Sequence, residues 1–287
     1  GICYDSGKGV EQNDSVAVKY FRQSADLGYH WGEYNLGYHY YEGEGVKQDY
    51  VEAARLFRLA AEENNAMALS LLGLCYHFGQ GVEENAAEAV KCYKKSAELG
   101  NLTAEFNLAW CYFHGQCVEQ NYEEAVRLLK GLYQKNYDEA DALQLLADCY
   151  YNGYGVEQDF KEALRLYCLA EEHGGSVAEE KDGCYRQLIN VYIEEAKNDS
   201  VEAQMVLGDC YYAGRGVAKD YKEALKWYKL AAKNGSAEAY NNIGQCYLNG
   251  HGVKRDYAKA VIFFKEAISK GCHRGEYNLG YCYYYGF

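Results

Sequence analysis

A four-residue element, Gly-x-Gly-Val, returns along the chain at an almost constant interval. It stands at Gly7–Val10, Gly43–Val46, Gly79–Val82, Gly153–Val156, Gly214–Val217 and Gly250–Val253, and a variant with Cys117 in place of the second glycine occupies Gly115–Val118. The first glycines are separated by 36, 36, 36, 38, 61 and 36 residues. Self-similarity at such a period marks a stack of small supersecondary units, each burying the hydrophobic face of its neighbour, and not a single globular core.

Each unit reads as two helices. Four residues after the second glycine, or after Cys117, stands Asn13, Asp49, Asn85, Asn121, Asp159, Asp220 or Asp256. These are N-cap residues, whose side-chain oxygens accept from orphan amides at a helix start. Glu52, Glu88, Glu124, Glu162 and Glu223 follow three positions later and predict capping boxes. Ala17, Ala53, Ala89, Ala125, Ala163, Ala224 and Ala260 come one turn inside the helix, and a large apolar residue follows a turn later (Phe21, Phe57, Tyr93, Leu129, Tyr167, Tyr228, Phe264). That small-then-large face suits interlocking helices. The second helix ends at Gly28, Asn64, Gly100, Asn136, Gly174, Gly235 or Gly271, the two residue types that best tolerate a left-handed C-cap. The first helix carries Leu-Gly, Leu-Ala or Ile-Gly with Tyr three residues on, as in Leu72-Gly73 with Tyr76 and Leu108-Ala109 with Tyr112. A small residue at mid-helix costs propensity, so its recurrence implies that a neighbouring helix sits directly on it.

The composite pattern Ala-x-x-x-Leu-Gly-x-x-Tyr-x-x-Gly-x-Gly-Val-x-x-Asp-x-x-x-Ala is complete from Ala239 to Ala260 except for Ile243 in place of Leu. It resembles the Sel1-like repeat family, cousins of the tetratricopeptide repeat, over nearly the whole chain. The resemblance implies an all-α fold: a right-handed αα-superhelix, or solenoid, of about seven to eight repeats of 36 residues, one of them degenerate. Two departures stand out, Cys117 and residues 176–200.

The 61-residue interval exceeds one period by 25 residues, and the excess falls on 176–200. Tyr185, Leu188, Ile189, Tyr192, Ile193 and Ala196 keep helical spacing there. The segment reads either as a degenerate repeat without its turn or as a deliberate break that alters curvature or makes a ledge. The expected organisation is therefore repeats over 1–175 with the first truncated, the irregular segment 176–200, and repeats over 201–287 with the last truncated. Both ends read as raw, lacking capping repeats. That favours a piece of a longer array and offers surfaces for end-to-end self-association.

Charge bounds the partners. The formal net charge is −13, the wrong sign for neutralising phosphates or docking on an anionic membrane. No apolar run reaches the roughly 20 residues that span a bilayer, and no signal-like segment opens the chain. The absence of proline suits a chain of helices and tight glycine turns. Of the 12 cysteines, Cys3, Cys75, Cys111, Cys149, Cys210, Cys246 and Cys282 share one repeat position, which reads as a small buried apolar site. No Cys-x-x-Cys occurs and no His lies at ligand spacing, so neither a metal site nor a cofactor is expected. In a disulfide-stapled branch of the resembled family, paired cysteines are separated by seven residues, a spacing absent here. Reduced thiols and a cytoplasmic setting are expected, with within-repeat pairs such as Cys75 with Cys92 left open.

Enzymatic readings find little support. The Gly-x-Gly element lacks the third glycine of a dinucleotide loop and the lysine of a phosphate loop, and the seven histidines fall in different repeat phases. The expectation is a non-enzymatic scaffold or adaptor. In the related tetratricopeptide fold the first helices line a concave face. The corresponding stripe at i, i+4 and i+7 carries Tyr34, Tyr38, Tyr41, His77, Phe106, Trp110, Phe113, Asp148, Tyr151, Asp209, Tyr212, Tyr277, Tyr281 and Tyr284. Aromatic residues of this kind anchor interfaces, and the acidic chain favours a partner protein segment with basic residues flanking apolar ones. The competing reading buries these rings against the next unit. Two other functions are carried beside the scaffold reading: binding of glycans or cell-wall fragments, since stacked aromatics also hold sugar rings, and service as a non-catalytic module of a larger enzyme or receptor, which the raw ends favour.

Overall fold

The computed structural model describes residues 1–287, as sixteen α-helices. Two compact units divide the chain: Gly1–Gln158 with His173–Gly175, and Asp159–Glu172 with Ser176–Phe287. None of the helices is long and apolar enough to cross a membrane.

The first unit begins with the short α1 (Ile2–Ser6). It continues as α2 (Asp14–Asp26), α3 (His30–Glu42), α4 (Tyr50–Glu62), α5 (Ala66–Phe78), α6 (Ala86–Glu98), α7 (Leu102–His114), α8 (Tyr122–Gln134) and α9 (Ala140–Asn152). Each helix packs against its sequence neighbours. The N-caps form as the sequence predicts: Asn13 accepts from Val16 N, Asn85 from Glu88 N and Asn121 from Glu124 N, each at 3.0–3.1 Å. The second helices end on residues of positive φ, including the non-glycine Asn64 (58°) and Asn136 (57°).

The expected capping boxes do not close. The cap residue's N–H is already taken by a carbonyl near the end of the first helix, as in Asp49 N to Tyr40 O (2.9 Å) and Asn85 N to Tyr76 O (2.8 Å). Those carbonyls lack an intrahelical partner, so this pairing satisfies two orphan groups at once. The glutamates turn instead to the residue three positions on, pairing Glu52 with Arg55 and Glu124 with Arg127.

Side-chain packing within a repeat follows the small-large rule. A methyl placed on Gly73 would lie 2.6 Å from the Tyr93 ring, and one on Gly37 2.8 Å from Phe57, both rings fully buried. Where Ala109 replaces the glycine, the second helix supplies Leu129 at the ring position.

Stacking between repeats rests, in most turns, on the second glycine. Gly81 (φ 72°) approaches the backbone of Tyr50 and Val51 at the start of the preceding second helix, and Gly45 makes the same approach to Asp14 and Ser15. Any Cβ there would collide with main-chain atoms.

The second unit runs α10 (Phe160–Glu172), α11 (Ala178–Lys197), α12 (Val201–Ala213), α13 (Tyr221–Lys233), α14 (Ala237–Asn249), α15 (Tyr257–Ser269) and α16 (Arg274–Tyr284). The irregular segment is a single 20-residue helix, α11. Gly216 meets Tyr185 and Arg186 of α11 just as Gly81 meets Tyr50 and Val51, so α11 fills the place of a second helix. The Asp182 carboxylate also accepts from Gly216 N. Leu188 and Ala196 are buried, and Ile189, Tyr192 and Ile193 pack toward Ala203 and Leu207 of α12.

Gly81→Ala is expected to lose about 2–4 kcal/mol of stability, combining a left-handed alanine with a backbone collision. Gly9 has the same φ sign and no neighbour within 4 Å; Gly9→Ala should cost only about 1 kcal/mol. Urea unfolding of the two variants checks the difference.

Candidate functional site

The stripe on the first helices divides into positions with different surroundings. Its last position, four residues past the mid-helix small residue, is spent on the following repeat. Tyr41 Oη donates to Gln80 Oε1 at 2.6 Å, His77 Nε2 donates to Gln116 Oε1 at 3.1 Å, and Tyr212 Oη and His251 Nδ1 share a hydrogen bond at 2.8 Å. Gln80, Gln116 and His251 each stand between the two small residues of the next turn. Phe113 meets Tyr154 of its next turn edge-on at 6.0 Å. These side chains knit successive repeats together. Tyr41, Phe113 and Tyr212 remain partly accessible, while His77 is buried at 8% exposure.

The other two positions are freer. In the first unit Tyr38 is exposed, and Tyr34, Phe106, Trp110, Asp148 and Tyr151 are half-buried. Phe106, Trp110 and Phe113 of α7 face Asp141, Gln144, Leu145 and Asp148 of α9 across a cavity of about 300 Å³, with His114 at its edge. Trp110 packs on His114 at 4.3 Å between ring centroids and on His77 at 5.9 Å. Burial lowers the His114 pKa, against an opposing pull from Asp148. The sequence stripe did not single out His114, Asp141 or Leu145. They lie beside it on α7 and α9 and enter as lining of the same cavity.

In the second unit Asp209 accepts from Tyr228 Oη at 2.7 Å. Its outer edge is open to solvent, yet crowding on its inner side raises the carboxyl pKa by desolvation, opposed by the Tyr228 hydrogen bond and by Arg215. Tyr277 and Tyr284 are 77% and 83% exposed and Tyr281 is 42% exposed. Tyr281 stacks obliquely on Tyr285 at 4.6 Å.

The twelve cysteines are free thiols. Burial pushes Cys75, Cys149 and Cys210 up to about 12 and Cys246 to about 11, which keeps these core thiols protonated and inert. One grouping is different. His77, Cys111 and Cys117 bring a ring nitrogen and two sulfurs within 4.8 Å of one another. They sit on α5, on α7 and in the turn after α7, and their sequence separations match no metal-binding motif.

Compared with known proteins, the chain matches the family model described as Sel1 repeat over residues 1–29, 32–65, 66–101, 102–130, 140–175, 201–236, 237–272 and 273–287. It is similar to the solved structure of c5321, described as a protective antigen present in uropathogenic Escherichia coli strains and displaying an SLR fold. That similarity has 29% identity and a TM-score of 0.60 over 99% of this chain and 71% of that one. A Sel1 repeat protein from Oxalobacter formigenes is similar at 26% identity and a TM-score of 0.51, over 97% of this chain and 73% of its own. No curated protein matches the sequence.

The hydrogen bond from Tyr41 to Gln80 should register as stability. Tyr41→Phe is expected to cost about 1 kcal/mol, and a double-mutant cycle with Gln80→Ala should return a coupling of about 0.5–1.5 kcal/mol by chemical denaturation.

Proposed function

Because the chain belongs to the Sel1 repeat family, whose members are generally protein-interaction scaffolds, we propose that it holds a partner protein segment in the groove between α7 and α9. The observation that carries this reading is the lining of that groove: three aromatic rings on one wall and two aspartates, Asp141 and Asp148, on the other. An aromatic wall supplies contact area with few rotamers to freeze. It also attracts a cation placed over a ring face, and a carboxylate opposite can receive the same cation's N–H groups. The ligand chemistry that fits is an extended segment presenting an arginine or lysine between apolar side chains. The module works by binding and orienting, not by catalysis.

Fluorescence anisotropy with labelled peptides tests the proposal, comparing peptides with one arginine flanked by aromatic or aliphatic residues with the same peptides carrying glutamate. The arginine peptides should bind, with affinity falling as salt rises. Trp110→Ala should weaken them by about 2 kcal/mol or more, roughly thirtyfold, in a protein that still melts cooperatively. Asp148→Asn should weaken them less and flatten the salt dependence. Equal binding of the glutamate peptides, or unchanged affinity in folded Trp110→Ala, would overturn it.

A further inference from the structure

The turn after α7 departs from every other turn at one residue. Six repeats place glycine there, and Cys117 adopts the same left-handed conformation, φ 64°. A side chain in that region costs about 1–2 kcal/mol relative to glycine. In the turns at Gly45, Gly81, Gly155 and Gly252 a Cβ would also run into the preceding second helix, which begins there with Asp14, Tyr50, Tyr122 or Tyr221. The helix preceding Cys117 begins with the small pair Ala86-Ala87. Cys117 is thus the one residue at this turn position that carries a side chain, in a left-handed conformation that its surroundings must hold in place.

The Cys117 thiol is directed to a formed pocket of donors. Cys111 is fully buried, and its sulfur interacts with that of Cys117. His77 is more than nine-tenths buried and stacks on Phe78 at 4.4 Å with an interplanar angle of 3°. Its Nε2–H is directed at Gln116 Oε1, which leaves Nδ1 as the ring's lone-pair nitrogen. The buried Tyr93 hydroxyl reaches Nδ1 only at 3.4 Å, well beyond the usual O–H···N distance. The outer contact from Gln116 does for His77 what a carboxamide or carbonyl does for metal-bound histidines: it sets the tautomer and the ring orientation. Other cysteines at the recurring core position, such as Cys149, Cys210 and Cys246, have glycine in the following turn and so lack this second thiol.

We propose that His77, Cys111 and Cys117 form a binding site for one Zn²⁺, which takes one imidazole nitrogen and two thiolates from the protein and water in its fourth position. Nitrogen and sulfur donors select a borderline-soft cation of tetrahedral preference over calcium or magnesium. Binding displaces the two thiol protons to solvent and closes the three donors around the ion. Cys117 is only half-buried, which gives the ion and its water a path in. The site is independent of the peptide groove, although His77 and Trp110 touch.

The test uses the full chain, reduced and stripped with a chelator, then titrated with Co²⁺ as an optical probe and with Zn²⁺ in competition. The expected result is one equivalent of Co²⁺ with a thiolate-to-metal charge-transfer band, bleached by one equivalent of Zn²⁺. Cys117→Gly restores the residue that the other turns carry, so it should fold at least as well as the parent. It should lose the charge-transfer band and bind Zn²⁺ more weakly by at least about tenfold. Absence of binding to the reduced parent, a cobalt complex without a thiolate band, or an unchanged band and affinity in Cys117→Gly would each overturn the proposal.

Discussion

Where one repeat meets the next, two stretches of main chain touch with no side chain between them. Gly45 lies on Asp14, Gly81 on Tyr50, Gly155 on Tyr122 and Gly252 on Tyr221. In these four turns the residue must adopt positive φ and lack a Cβ, two demands that only glycine meets together; Cys117, in the turn after α7, meets the first alone. The spacing of every helix pair from its predecessor follows from this approach, because the first helix ends on the turn and the second helix starts four residues beyond it. Even α11 preserves the contact. Gly216 rests on Tyr185 and Arg186, with the Asp182 carboxylate added as an acceptor for the glycine N–H.

That constraint divides labour along the first helices. The stripe residue nearest the turn is drawn into the next repeat, through Tyr41 on Gln80, His77 on Gln116 and Tyr212 on His251. Recognition is left to the positions one turn and two turns further back. Trp110 belongs to both halves of this arrangement, since it lines the groove toward α9 and also covers His77.

Much of the fold was legible because local rules and the repeat agree. The N-cap asparagines and aspartates, the glycine or asparagine C-caps and the glycines under aromatic rings all stand where the sequence puts them. The capping boxes failed because the pattern Asp-x-x-Glu does not reveal that Tyr40 or Tyr76 offers its carbonyl to the cap N–H first. The stripe was visible as a periodicity, but its split into stacking and open positions was not. That split depends on the residue between the turn glycines one repeat later, 39 positions away for Tyr41 and Gln80. The cluster of His77, Cys111 and Cys117 was hidden for the same reason, as it joins two helices and a turn. The one local sign was Cys117 itself, a departure from a glycine that backbone geometry otherwise requires.

Within each unit, helices touch chiefly their immediate neighbours in sequence. Contacts of such short range close small loops, so little chain entropy must be surrendered before packing begins to repay it. The sequence also contains no proline, and with none there is no slow X-Pro isomerisation to hold back a repeat whose partner is ready. A helix pair leaving the ribosome can therefore dock on the pair made just before it without waiting for distant segments. Assembly of each unit becomes a directional zipper whose pace is set by synthesis.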